Sequence, residues 1–261
     1  MTTSRLGLAI LVNMVALKYS QRSMYSRDYP MYKRIGILGG MTPESTVTYY
    51  RHIFRRYEEL YGDLGYPETV IYDVSFQRFE NWMGEEDWGS IEKALLDGLE
   101  RLAAAGADFA VIATNTMHLL FEKLEARSPI PLISIVDATA EAVKKESMEV
   151  VGLLGTCFTM EKPFYREGLK KHGIETLVPG KEERDYINKV VFEELSRGVL
   201  LPESRNRYLE IIDGLVKRGA QGIVLGCTEI PLLVTQEHMD VKLFDTAVIH
   251  AEKALQHAIG K

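Results

Sequence analysis

Cys227 is the side chain best suited to proton-transfer chemistry. It stands in Gly226-Cys227-Thr228-Glu229, where the apolar run Gly222 to Leu225 ends and a helix could begin. A thiol in that position would feel the partial positive charge of a helix N-terminus, lowering its pKa from about 8.5 and raising the thiolate fraction near neutral pH. The other reading of such a residue, a small buried hydrophobe, is the commoner fate of a free cysteine. Thr114-Asn115-Thr116 follows a similar run and offers two hydroxyls, an amide and backbone N–H groups able to hold a carboxylate. Thr and Asn after a strand are equally good helix caps. In Gly39-Gly40-Met41-Thr42-Pro43-Glu44-Ser45 the glycines permit close backbone approach, Thr42 suits an N-cap and Pro43 a first helical position. The segment lacks both GxGxxG spacing and a GK[ST] ending, so it implies no nucleotide. Arg78, with Gln77 beside it in Ser75-Phe76-Gln77-Arg78, could supply a guanidinium fork for a ligand carboxylate, or be an ordinary surface arginine. Thr156 and Cys157 fall at another strand end, and Cys157 reads as structural because no base or charge partner is adjacent in sequence. His118 and His250 are isolated and read as non-catalytic.

These residues need a scaffold that brings strand ends together. From Met31 onward, short apolar runs ending in glycine or a small polar residue alternate with helical segments, the pattern of βα units and a parallel sheet. Strands are predicted at 35–38, 69–74, 109–113, 132–136, 150–154 and 222–225. Between 91 and 104, Ile91, Leu95, Leu96, Leu99 and Leu102 share one helical face. An internal repeat organises the whole. Leu102, Gly106, Ala107, Val111 and Thr114 match Leu215, Gly219, Ala220, Val224 and Cys227, with each glycine eight residues before the final position. Ile35-Gly36-Ile37-Leu38-Gly39 likewise matches Val151-Gly152-Leu153-Leu154-Gly155. The fold expected is α/β: two similar αβ domains with mainly parallel sheets related by pseudo-twofold symmetry. One domain would span 31–130 plus 242–261 and the other 131–241, after an N-terminal extension at 1–30. Ligands of open α/β sheets bind outside the carboxyl ends of the strands, so Thr114 and Cys227 would face a cleft between the halves.

Composition narrows the partners. The 261 residues are 46% hydrophobic and 26% charged, ordinary for a globular protein, with a net charge of −6. No basic run interleaved with aromatics is present, so nucleic acid is not an expected partner. The two cysteines belong to no CxxC or Cys/His cluster, which leaves no basis for a zinc site or a disulfide framework and fits a reducing compartment. Leu6 to Leu17 is apolar and follows Arg5, as in a signal peptide, but it is too short to span a bilayer as a helix and no small-x-small cleavage site follows. A cytoplasmic protein without a membrane partner is expected.

The motifs in order resemble the cofactor-independent aspartate/glutamate racemases. Ile35-Gly36-Ile37-Leu38-Gly39-Gly40-Met41-x-Pro43-Glu44-x-Thr46-x3-Tyr50 is similar to that family's opening motif and Gly226-Cys227-Thr228-Glu229 to its second catalytic motif. Ala113-Thr114-Asn115-Thr116-x-His118 is similar to the first catalytic motif, in which a cysteine normally stands where Thr114 does. The resemblance implies a homodimer, no PLP or metal, and two cysteines on opposite faces of the substrate Cα. It implies that Met41, Thr42, Asn115, Thr116, Thr156, Thr228 and Glu229 contact a small acidic amino acid, with Gln77 and Arg78 at its distal carboxylate. Here Cys227 would deprotonate L-aspartate or L-glutamate, and Thr114 or a water would protonate the other face. A threonine hydroxyl is a weak acid and a poor abstracting base, so inversion from L to D would be the kinetically favoured direction at saturation. A single-cysteine decarboxylase of substituted malonates and a non-catalytic amino-acid-binding module are the alternatives.

Overall fold

The central strands are apolar on both faces, as strands are when helices cover them from both sides. The computed structural model describes residues 31–261. Its strands are β1 (Ile35–Gly39), β2 (Thr69–Asp73), β3 (Phe109–Ile112), β4 (Leu132–Ile133), β5 (Val150–Gly155), β6 (Glu175–Leu177), β7 (Gly222–Gly226) and β8 (Lys242–Asp245). The helices of the first part are α1 (Pro43–Tyr61), α2 (Phe76–Gly84), α3 (Trp88–Ala104), α4 (Phe121–Glu125) and α5 (Ile135–Lys145). Those of the second are α6 (Cys157–Glu161), α7 (Pro163–Lys171), α8 (Lys181–Glu193), α9 (Pro202–Lys217), α10 (Ile230–Leu233) and α11 (Thr246–Ile259).

Two four-stranded parallel sheets result, ordered β2-β1-β3-β4 and β6-β5-β7-β8. The sequence repeat is thus a repeat of topology. In each sheet the order reverses between the two central strands, β1 and β3 in one and β5 and β7 in the other, and such a switch point is where α/β sheets open a crevice. Register aligns the strand ends: Leu38 pairs with Ile112, and Gly155 with Gly226. Helix α3 buries Ile91, Leu95, Leu96, Leu99 and Leu102 against the first sheet, the face its periodicity predicts.

The strands divide differently from the sequence expectation. Leu132–Ile133 pairs with β3 and closes the first sheet, and the expected strand 132–136 stops there because Ser134 caps α5. Lys242–Asp245 pairs with β7 and closes the second sheet, so 242–245 leaves the first half. The helix after each edge strand then crosses to the other half. Ile135, Val136, Ala140 and Val143 of α5 pack with Val151 and Leu153 of the second sheet. Ala247, Ala251, Ala254 and Ala258 of α11 pack with Ile35, Ile37, Tyr49 and Ile53 of the first. The backbone ladder assigns a strand and the apolar face assigns a helix, and at these two places they disagree. Strands β6 and β8 were not predicted: three and four residues long, with exposed positions, they lack a buried apolar run. No described helix is long and apolar enough to cross a membrane. The expected extension at 1–30 and its apolar stretch lie outside the described residues.

Candidate active site

The carboxyl ends of β1, β3, β5 and β7 converge on one cavity. Met41, Thr42, Thr114, Asn115, Thr116, Thr156, Cys227, Thr228 and Glu229 line it, all of them positions singled out in the sequence. The space, its opening to solvent included, is about 440 Å³. Thr114 and Cys227, equivalent in the repeat, come from opposite sheets. Within each half, glycine lets neighbouring segments pack closely at the strand ends. A Cβ at Gly226 would lie 2.8 Å from the Leu154 carbonyl, and at Gly40, where φ is +84°, it would lie 2.5 Å from the Val74 carbonyl.

On one side the chemistry is a thiol on a carboxylate. Cys227 Sγ donates to Glu229 Oε2 at 3.0 Å, Thr228 Oγ1 donates to the same oxygen at 2.9 Å, and Thr42 Oγ1 donates to Oε1 at 2.7 Å. Thr42 occupies the N-cap of α1, as expected, but makes no capping hydrogen bond, and its hydroxyl donates to Glu229. Glu229 is 4% exposed, and these three donors hold its carboxylate inside the protein. The expected lowering of the Cys227 pKa does not occur. Burial pushes the thiol well above its ordinary value, and the Glu229 charge adds to it. The N–H groups of Glu229 and Ile230 pull the other way, but they open a four-residue helix and are outweighed. Cys227 is therefore a thiol with a proton acceptor at hand, not a standing thiolate.

On the other side the chemistry is hydroxylic. Thr116 Oγ1 and Thr156 Oγ1 are 3.1 Å apart, bridging the halves, and Thr156 caps α6 by accepting from the Thr159 N–H. The repeat that matches Thr114 to Cys227 matches Thr116 to Glu229, so both the thiol and its carboxylate have a threonine counterpart. Asn115 Nδ2 donates to Thr246 Oγ1, which in turn donates to the Leu225 carbonyl. That direction leaves Asn115 Oδ1 as an acceptor, and it is buried without a partner among the described residues. A buried unsatisfied acceptor costs about 1–3 kcal/mol, and Asn115 belongs to the cavity lining. The strand end itself is fixed by His118, whose Nδ1–H donates to the Thr114 carbonyl at 2.8 Å while Nε2 accepts from the Ile135 N–H at 3.1 Å. Burial lowers the His118 pKa to about 4, which keeps the ring neutral.

Two expected residues are not brought in. Gln77 is exposed and donates to Glu80 and Asn81, and Arg78 is exposed with its guanidinium 4.9 Å from the centre of the Trp82 ring. Helical periodicity explains it: α2 turns Phe76 and Met83 to the cavity and Arg78 away. Cys157 is outside the cavity, half-buried with Sγ against the Arg184 carbonyl, and burial raises its pKa. The sequence reading missed Phe76, Met83, Met117, Val191 and Phe192 in the lining, since apolar helical residues carry no signal separating pocket from core, and it missed Ser196, a lone serine in a short turn.

Comparison with known proteins gives a consistent result. The Bacillus subtilis (strain 168) broad specificity amino-acid racemase RacX is 24% identical over 227 residues, covering 85% of this chain and 96% of that one. The crystal structure of a candidate Asp/Glu racemase from Yersinia pestis is 40% identical with a TM-score of 0.80, covering 87% of this chain and 99% of that one. An aspartate racemase homologue from Pyrococcus horikoshii OT3 is 37% identical with a TM-score of 0.75 and the same coverage. The profile of the Asp/Glu/hydantoin racemases matches residues 38–254, and the chain belongs to that family.

Proposed function

We propose that this protein is an amino-acid racemase that works without a cofactor, removing the substrate Cα proton at Cys227 and delivering another to the opposite face from the Thr114 side. The observation that carries the reading is the opposition of Thr114 and Cys227 in one cavity, with Glu229 Oε2 3.0 Å from the Cys227 thiol. The α-carboxylate is held by threonine hydroxyls and strand-end N–H groups, and the α-ammonium by Asn115 Oδ1. Glu229 takes the S–H proton as Cys227 takes the Cα proton, so no free thiolate has to persist in a site where burial disfavours it. The resulting carbanion, conjugated with the α-carboxylate, is protonated on its opposite face by the Thr114 hydroxyl or a water. Solvent restores the proton on the Thr114 side and takes up the one held by Glu229, so each turnover begins and ends with Cys227 as a thiol and Glu229 as a carboxylate.

The two faces are unequal. A thiol–carboxylate pair abstracts a proton far more readily than a hydroxyl, so return of solvent hydrogen to the L-face outruns inversion. The equilibrium between enantiomers is unity, which requires equal kcat/KM in the two directions. Only kcat and KM separately can favour L to D.

Incubation of L-amino acids in D2O tests this. Deuterium should enter Cα, with a smaller yield of the D-enantiomer, and Cys227→Ala should abolish both. Full exchange in that variant would remove Cys227 from the mechanism. Carbon dioxide release from a substituted malonate, without Cα exchange, would replace the reading by decarboxylation.

The choice of side chain is a separate matter. The expectation of aspartate or glutamate assigned the distal carboxylate to Arg78, which lies outside the cavity.

A further inference from the structure

We infer that the substrate side chain this racemase accepts is uncharged and apolar, and not the carboxylate of aspartate or glutamate. The inference rests on the racemase reading and specifies its substrate.

The Cα must lie between Cys227 and Thr114, at the strand ends where the cavity's threonines and Asn115 are gathered. Its α-carboxylate and α-ammonium occupy that polar end. The side chain is left with the helical wall, where Phe76 and Met83 of α2, Met117, Val191 and Phe192 of α8, and Ser196 face the cavity. Five of the six are apolar, and Ser196 already donates its hydroxyl to the Phe192 carbonyl. Methionine and phenylalanine side chains at this wall favour apolar contact, and flexible methionines adapt to unbranched chains of varied shape.

Charge points the same way. Among the described residues, no lysine, arginine or histidine lines the cavity, while the buried Glu229 carboxylate does. A neutral amino acid enters as a zwitterion of no net charge. Glutamate would add a second negative charge to a cavity that already holds the Glu229 carboxylate and lose its hydration with no cation in return, a heavy penalty. The donors at the polar end do not relieve it. Thr42, Thr228 and Cys227 already serve Glu229, and the Thr116–Thr156 pair is needed for the α-carboxylate. The first turn of α2, with Phe76 in the lining, offers only the partial charge of a helix terminus, a small effect beside desolvation of a carboxylate.

The experiment is Cα deuterium wash-in by the full chain in D2O with L-glutamate, L-glutamine and L-methionine, which have nearly equal length and differ in charge and polarity, and with L-aspartate. The expected order of kcat/KM is methionine, then glutamine, then glutamate, with about a hundredfold between the first and last. Ser196→Lys, which puts a cation at the half-buried edge of the cavity, should raise glutamate relative to methionine at least about tenfold. Cys227-dependent exchange that is fastest with glutamate or aspartate would overturn this inference and leave the racemase reading standing. Absence of exchange with all four amino acids would overturn both. Should Ser196→Lys not fold, the comparison of the four amino acids with the unaltered protein decides alone.

Discussion

Lowering the pH should withdraw the two buried histidines that brace the Thr114 side. His118 holds the Thr114 carbonyl, and His250 Nε2–H donates to the Ile133 carbonyl at 2.8 Å while Nδ1 accepts from the Tyr49 hydroxyl at 2.7 Å. In His118 a second ring proton would have to face the Ile135 N–H, and in His250 it would require the Tyr49 hydroxyl to turn round and accept. Burial lowers the pKa from 6.5 to about 4 for His118 and about 3 for His250, and for His250 the neighbouring His118 adds to the effect. Because the folded pKa values lie below the unfolded one, the unfolded chain binds more protons between them. Stability is therefore full above pH 6.5 and falls as the pH drops from there toward 4 and 3. At about 1.4 kcal/mol per pKa unit, each histidine should have withdrawn about 3 kcal/mol by pH 4. Together that is comparable with the whole stability of many domains, about 5–15 kcal/mol. The raised pKa of the buried Asp245 works in the opposite sense, so a pH profile of the unaltered protein alone is not diagnostic. Urea denaturation of His118→Gln and His250→Gln at pH 6, 5 and 4 isolates the histidines. Each variant should lose about 1.4 kcal/mol per pH unit from the slope. A slope unchanged by both substitutions, or a His118 ring resonance titrating near 6.5, would refute the assignment.

Two further outcomes concern the reacting groups. Glu229→Gln should lower the wash-in rate about 10²- to 10³-fold at pH 7 by removing the acceptor of the S–H proton, and residual activity should climb with pH as the thiol ionises unaided. A rate unchanged near neutrality would assign Glu229 to architecture alone. Thr114→Cys should increase D-enantiomer formation relative to wash-in, as chiral chromatography and NMR on one reaction would show, and an unaltered ratio would take Thr114 off the reaction path.

Much of this molecule is legible in its sequence because the relevant signals are local. Glycine stops, apolar runs and the repeat matching Thr114 to Cys227 come from backbone sterics and strand burial over a few residues. Those are enough to predict parallel α/β halves with polar strand ends opposed. What only the tertiary structure decided depends on which surfaces meet. The pairing of 242–245 with the second sheet and the exchange of α5 and α11 between halves follow from long-range ladders and apolar faces that no short window contains. Arg78 and Phe76 are two residues apart, yet the turn of α2 sends one to Trp82 and the other to the cavity. The thiol shows the same division. Its position at a strand end could be read from spacing, but the direction of its pKa shift could not. That depended on burial and on the Glu229 carboxylate folding back to 3.0 Å, which together outweigh the short helix behind it.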